Sequence, residues 1–377
     1  MVKHFILALS LVLLAPVSFA QSKKYVVIGY VTGNGWNKAD LEKDANKMTH
    51  INYAFAVPAA NGELAPLGKK DTLTLRALHE LRKINKDLKL LISIGGWGGC
   101  KYFSDVSLTE PARQKFAKSA MALVNEFHLD GIDIDWEYPD QIGDGNIFRK
   151  EDKQNYTLLL KTLREHLDAQ GKKDNRLKTN KYLLTSATGG DTAFVHHTEL
   201  GKAARYLDYV NIMTYDLYHG NDKATGHHSP LYQSKLSNRS RNSSDDAVMG
   251  HVKAGVPIGK IVLGVPFYGR GWTNVKDVNH GLFQPQENGK HYFIGYTELQ
   301  EKYINKNGFT RYWDEEAKIP YLWNPQSRTF FSYADEESMK YKMEYIKKKG
   351  LAGVMFWEYF LDLPGKKLLN AVDALRK

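Results

Sequence analysis

A chain of 377 residues, 42% hydrophobic and 25% charged, has the material for one large core or for two to three ordinary domains. Its formal charge of +10 is spread over helix-like segments such as Glu336–Lys349, where acids are mixed in. No basic block with interleaved aromatics occurs, so no nucleic-acid partner is expected, and a single cysteine, Cys100, excludes an intramolecular disulfide.

The first residues carry Lys3 and His4, an apolar run from Phe5 to Val17, and a small-residue exit at Ser18-Phe19-Ala20. That order predicts a secretory signal peptide over residues 1–20, cleaved before Gln21. The run is interrupted by Pro16 and is short for a membrane span. No cysteine follows it to take a lipid, so a secreted or periplasmic protein without a membrane anchor is expected. A monomer is expected.

Downstream, short apolar runs alternate with segments of helical periodicity. Eight runs read as strands: Tyr25–Val31, Thr49–Val57, Leu88–Gly95, Gly131–Glu137, Tyr182–Thr188, Tyr206–Tyr215, Ile261–Tyr268 and Gly353–Trp357. Most are near-continuous and apolar, as strands covered on both faces must be. Helical patterns fall at Asp71–Ile84, Pro111–Phe127, Glu151–Leu167, Asp245–Ala254 and Glu336–Lys349. This alternation predicts an α/β fold, a closed (β/α)8 TIM barrel over residues 21–377, with an open doubly wound sheet as the other solution.

One connection is too long. Between Tyr268 and Gly353 the stretch Thr273–Ser332 is rich in Tyr, Phe, Trp, Asn and Gly. It reads as a small α+β insertion between strands 7 and 8, with a helix near Tyr296–Tyr303, standing over the C-terminal face where barrel sites lie. Asn221–Ser244 reads as a long polar loop.

The fourth run is the most informative: Asp130-Gly131-Ile132-Asp133-Ile134-Asp135-Trp136-Glu137-Tyr138-Pro139. Its two-residue period places Asp133, Asp135 and Glu137 on one face and the apolar residues on the other. Carboxylates set in a row raise one another's pKa, and burial raises them further. The last would then be a general acid; a polar edge strand or a calcium site is the alternative. Other chemistry-bearing residues also fall at strand ends: Ser93-Ile94-Gly95-Gly96-Trp97, Met213-Thr214-Tyr215-Asp216, Tyr268-Gly269-Arg270 and Trp357. Ser93 can donate toward the carboxylate row. The glycines there are no phosphate cradle, because no Lys-Ser/Thr follows them. Carboxylates beside an indole plane suit a sugar, which stacks through its apolar face while polar groups read its hydroxyls.

These motifs resemble those of chitinases of glycoside hydrolase family 18. The Asp-Gly-x-Asp-x-Asp-x-Glu signature is complete at Asp130 to Glu137, Ser-x-Gly-Gly stands at Ser93 to Gly96, and Met-x-Tyr-Asp at Met213 to Asp216. The last-strand aromatic is Trp357, and the insertion resembles the family's chitinase insertion domain. The resemblance implies retaining hydrolysis of β-1,4-linked N-acetylglucosamine by substrate assistance, an exception to the two-carboxylate scheme. It implies Glu137 as acid/base, Asp135 orienting the acetamide, and Asp133 sharing a proton with Asp135. Ser93 and Tyr30 would support that pair. Tyr215, Trp357, Asp216, Met213, Arg270, Trp97 and Tyr138 would contact sugar. No cofactor and no metal is implied; the partner is chitin or a chito-oligosaccharide. Two rival readings are a non-catalytic chito-oligosaccharide lectin and an endo-β-N-acetylglucosaminidase acting on glycoprotein or peptidoglycan glycans. The fifth run, Leu184–Gly190, carries no assigned role.

Overall fold

The computed structural model describes residues 24–33, 37–176, 180–237, 239–240 and 242–377. The expected leader at residues 1–20 lies outside the described residues.

Eight parallel strands close a barrel: β1 (Val26–Thr32), β2 (His50–Ala56), β3 (Lys89–Gly95), β4 (Gly131–Asp135), β5 (Leu183–Gly189), β6 (Tyr209–Met213), β7 (Ile261–Pro266) and a last strand, Gly353–Trp357. Each pairs with its sequence neighbours, and the last strand closes the ring between β7 and β1. Five more strands lie between β7 and the last one: β8 (Tyr268–Trp272), β9 (His291–Gly295), β10 (Thr310–Asp314), β11 (Ile319–Asn324) and β12 (Thr329–Ser332). The last barrel strand is therefore β13. The five form an antiparallel sheet of order β10-β11-β12-β8-β9, with the helix Tyr296–Lys302 following β9.

Two expected boundaries move. The run Ile261–Tyr268 is not one strand: β7 stops at Pro266 and the second sheet starts at Tyr268, five residues before the expected Thr273. Arg270 thus belongs to the inserted sheet. The fourth strand ends at Asp135, so Glu137 sits just beyond the ladder. The described residues of the stretch Asn221–Ser244 form no helix or strand up to Ser244, yet the stretch is not solvated throughout. Its middle, from Thr225 to Leu231, is buried, and Thr225 Oγ1 and His228 N bond the inserted segment.

Side-chain parity divides the barrel. Ile132, Ile134 and Trp136 join the layer between strands and helices, where Trp136 stacks on Phe103 at 5.1 Å. The alternate positions point inward: Tyr30, Met355, Tyr215 and Trp357 meet in a separate cluster inside the barrel. At the lower end of β4, Asp130 accepts hydrogen bonds from Arg82, from Arg176 at 2.6 Å and from the Leu90 amide at 2.9 Å. The first carboxylate of the signature is thus a peg at the base of the strand, remote in role from the other three. No helix among the described residues is long and apolar enough to cross a membrane.

Candidate active site

The inward residues of β3, β4 and β5 are in register: Ser93 pairs with Asp133, and Asp133 with Thr185. Parallel strands in register set these side chains level, so the carboxylate at the centre has hydroxyls on both sides. Asp133 Oδ2 accepts from Ser93 Oγ at 2.7 Å and from the Tyr30 hydroxyl at 2.8 Å. Its Oδ1 accepts from Thr185 Oγ1 at 2.5 Å and from Asn211 Nδ2 at 3.2 Å. Four donors favour the anion. Burial outweighs them and still raises the Asp133 pKa above the ordinary carboxylate value.

Asp135, two residues on, is also buried, but its Oδ1 has no hydrogen-bond partner among the described residues. Burial, then the charges of Glu137 and Asp133, push its pKa well above the usual range. A buried acceptor left unpaired costs about 1–3 kcal/mol, a cost that a donor entering the cavity would relieve. The four donors engage both oxygens of Asp133 in this geometry, while Asp135 Oδ1 stays unpaired.

Glu137 stands at the rim of the same face. Burial, with the nearby Asp216 charge, raises its pKa to about 7, against the neighbouring Tyr138 hydroxyl, which lowers it. A carboxyl raised into that range keeps its proton at higher pH than an ordinary glutamate, as a general acid must. The turn after β3 comes close beneath it. Gly95 has φ +116°, and a Cβ there would lie 2.0 Å from the Asp135 carbonyl oxygen, so only glycine fits.

A cavity of about 950 Å³ opens over these groups, walled by the barrel mouth and the inserted sheet. Tyr30, Trp97, Asp135, Glu137, Tyr138, Met213, Tyr215, Asp216, Arg270 and Trp357, all expected at the site, line it. Asp133 and Ser93 are fully buried below it. Asp216 and Arg270 were expected as separate sugar contacts, but they grip each other. Arg270 Nε and Nη2 donate to the two carboxylate oxygens, each at 2.7 Å. Burial raises the Asp216 pKa, but the two Arg270 bonds and the Arg270 charge, with His228 Nδ1 at 3.6 Å, outweigh it and hold the group well below the usual range. Trp357 is half-buried and stacks on Phe55 at 5.5 Å, leaving an aromatic floor two rings wide. Trp97 is 53% exposed on one wall and Phe293 50% exposed on the other.

Sequence reasoning missed Thr185, Asn211, Phe55 and Phe293. A lone Asn in the apolar run Tyr209–Met213 and the inward parity of Thr185 were usable signals. For Phe55 and Phe293 no local pattern distinguishes a floor or wall ring from a core one.

The sequence profile of the family described as "Glycosyl hydrolases family 18" matches residues 26–362. This chain belongs to glycoside hydrolase family 18. Among curated family members it is 38% identical to chitinase A1 of Niallia circulans, over 98% of this chain. The match spans 62% of that protein's length, so the relative carries further sequence. Chitotriosidase-1 of Mus musculus is 32% identical over 85% of this chain and 68% of its own. Among solved structures, a family 18 N-acetylglucosaminidase from Paenibacillus barengoltzii superposes with a TM-score of 0.85 at 43% identity. It covers 93% of this chain and 99% of that one. The family 18 scaffold therefore accounts for the barrel, and these relatives share it at identities that carry more than a common fold.

Proposed function

We propose that this family 18 protein hydrolyses β-1,4-linked N-acetylglucosamine chains or oligomers with retention, using the substrate's 2-acetamido group as nucleophile. The observation that carries the reading is Asp135: a buried carboxyl with an unpaired oxygen, set between a saturated aspartate and an acid of pKa about 7. A second protein nucleophile is not needed if the acetamide N–H is the missing donor.

In the first step Glu137 gives its proton to the glycosidic oxygen as the C1–O bond breaks. The acetamide carbonyl oxygen attacks C1 and closes an oxazolinium ring. Asp135 accepts the N–H and its negative charge offsets the developing cation in a water-poor site. Asp133 and Asp135 hold one proton between them as a coupled pair, exchanged when Asp135 turns between its neighbours. Water then attacks C1 while Glu137 takes back a proton, and two inversions give retention. Tyr215, whose hydroxyl among the described residues meets just the weak Met355 sulfur acceptor at 3.8 Å, is placed to donate to the acetamide carbonyl. Trp357 and Phe55 floor the scissile sugar, and the Asp216–Arg270 pair presents its remaining polar edges to neighbouring groups. The leader reading, export, and the role of the expected stretch 273–332, together with β8, as a separate insertion domain belong to the same proposal.

Glu137 separates this from the lectin reading, because a binding protein has no use for an acid tuned to neutrality. The test is Glu137→Gln in the full chain. Turnover of chitohexaose should be lost while binding of the oligosaccharide, read by calorimetry, persists; undiminished turnover would remove Glu137 from the mechanism. A second reading, release of single N-acetylglucosamine units, is favoured by the similarity to the Paenibacillus N-acetylglucosaminidase over almost its whole length. The product profile on chitohexaose distinguishes the two, since monosaccharide alone from the earliest times marks exo-action.

A further inference from the structure

The residues that carry the chemistry are Asp135 and Glu137, but what fixes their backbone comes from another strand. The β3 end turns sharply at Gly95 and Gly96, with φ of +116° and +80°, and doubles back so that Cys100 lies under the end of β4. Cys100 is fully buried. Its Sγ lies 3.2 Å from both the Asp135 and Gly96 carbonyl oxygens, and it accepts a hydrogen bond from the Glu137 amide at 3.1 Å. The Gly96 amide donates to the same Asp135 carbonyl at 2.9 Å. Gly99 completes the turn by donating to Gly96 O at 2.8 Å, and a Cβ on Gly99 would lie 2.1 Å from the Gly95 carbonyl oxygen.

The β4 ladder ends at Asp135, so no strand hydrogen bond holds Glu137. The Cys100 thiol supplies the bond that the ladder no longer can. Burial raises the thiol's pKa, so it stays protonated and keeps one donor for the carbonyls while its sulfur accepts from Glu137. Cys100 is fully buried and does not line the cavity, so a nucleophilic or redox role has no access to it.

We infer that Cys100 is a positioning residue, and that the turn Gly95–Cys100 clamps the backbone from Asp135 to Glu137 so that the acid meets the glycosidic oxygen. This rests on the acid role proposed for Glu137. A misplacement on the order of 1 Å at a reacting group lowers rate by about 10²-fold without altering ground-state binding equally. Serine keeps a donor and an acceptor at nearly the same place; alanine keeps neither.

The experiment compares the full chain with Cys100→Ala and Cys100→Ser, measuring kcat and KM on chitohexaose. Binding of the oligosaccharide, by calorimetry, and the melting temperature are read in parallel. Cys100→Ala should lose about tenfold to a hundredfold in kcat with KM and binding within about twofold, and Cys100→Ser should recover most of the loss. An alanine variant with unchanged kcat overturns the clamp, as does a serine variant as impaired as alanine. A loss of kcat matched by loss of binding points to general unfolding and also overturns it. If the alanine variant does not fold, the serine variant decides alone: near wild-type kcat supports the clamp, and a hundredfold loss in a folded, binding-competent protein refutes it. Wild-type turnover is the control that separates the two claims, because its absence defeats the proposed reaction, while its presence with an unaffected alanine variant defeats only the clamp.

Discussion

The pH dependence of turnover tests the acid most closely. Glu137 must be protonated to act, and burial with the Asp216 charge sets its pKa at about 7. With one proton lost per acid, about a tenth of the sites remain competent one pH unit above that value. The logarithm of kcat/KM on chitohexaose should then fall with slope −1 above about pH 7. The neighbouring Tyr138 hydroxyl favours the Glu137 anion, so Tyr138→Phe removes a stabiliser of the deprotonated form. A hydrogen bond to a charged group contributes about 1.5–3 kcal/mol, and 1.36 kcal/mol corresponds to one pH unit. The limb should therefore move upward, by about one pH unit at the low end of that range. A dinitrophenyl chitobioside leaves without help from a proton, and its alkaline limb should flatten in the same enzyme. Initial rates between pH 5 and 9 on both substrates provide the check. A limb that stays put in Tyr138→Phe, or that is equally steep for the dinitrophenyl leaving group, would refute the assignment of that ionisation to Glu137.

Asp135→Asn should lower the rate of the first step by about 10²–10³-fold, since a neutral amide cannot offset the oxazolinium charge; single-turnover kinetics would show it, and a loss below tenfold would contradict the role. Asp130→Ala should leave two guanidinium groups without their buried partner and destabilise the fold by about 3 kcal/mol, read from urea midpoints. The Asp130 pKa is lowered in the fold, by Arg82, Leu90 and Arg176 acting against burial. Its contribution is therefore present above the unfolded value near about 3.9 and lost as pH falls through the folded one. The gap between wild type and variant should be full at neutrality and close in acid; a gap unchanged down to about pH 3 would mean that packing, and not charge, is what the aspartate supplies.

The barrel was legible because period and run length carry it: β4 alternates carboxylate with Ile132 and Ile134, and both faces of the alternation are real. The ladder Asp133, Asp135, Glu137 was legible for the same reason. The partners that make Asp133 different from Asp135 were not. Ser93 lies on the neighbouring strand and was expected, but Thr185 and Asn211 come from β5 and β6, and only the register between strands brings them to one oxygen. The pairing of Arg270 with Asp216 was missed because β8 was read as the tail of a barrel strand, although it opens the inserted sheet. The segment Asn221–Ser244 misled by composition. The polar side chains of its middle, Thr225 to Ser229, are buried because the inserted segment covers them: His228 N bonds Ser332, and Thr225 bonds Gly281. Polarity in sequence reports solvent only when no later element folds over it.

The central claim is that the nucleophile lies in the sugar and that Asp135 awaits its N–H. It is tested by digesting partly deacetylated chitosan and identifying the sugar at each newly formed reducing end, which is the one that occupied the scissile subsite. Every new reducing end should be N-acetylglucosamine. New reducing ends carrying glucosamine in proportion to its abundance would show that the acetamide is dispensable, and would contradict the account.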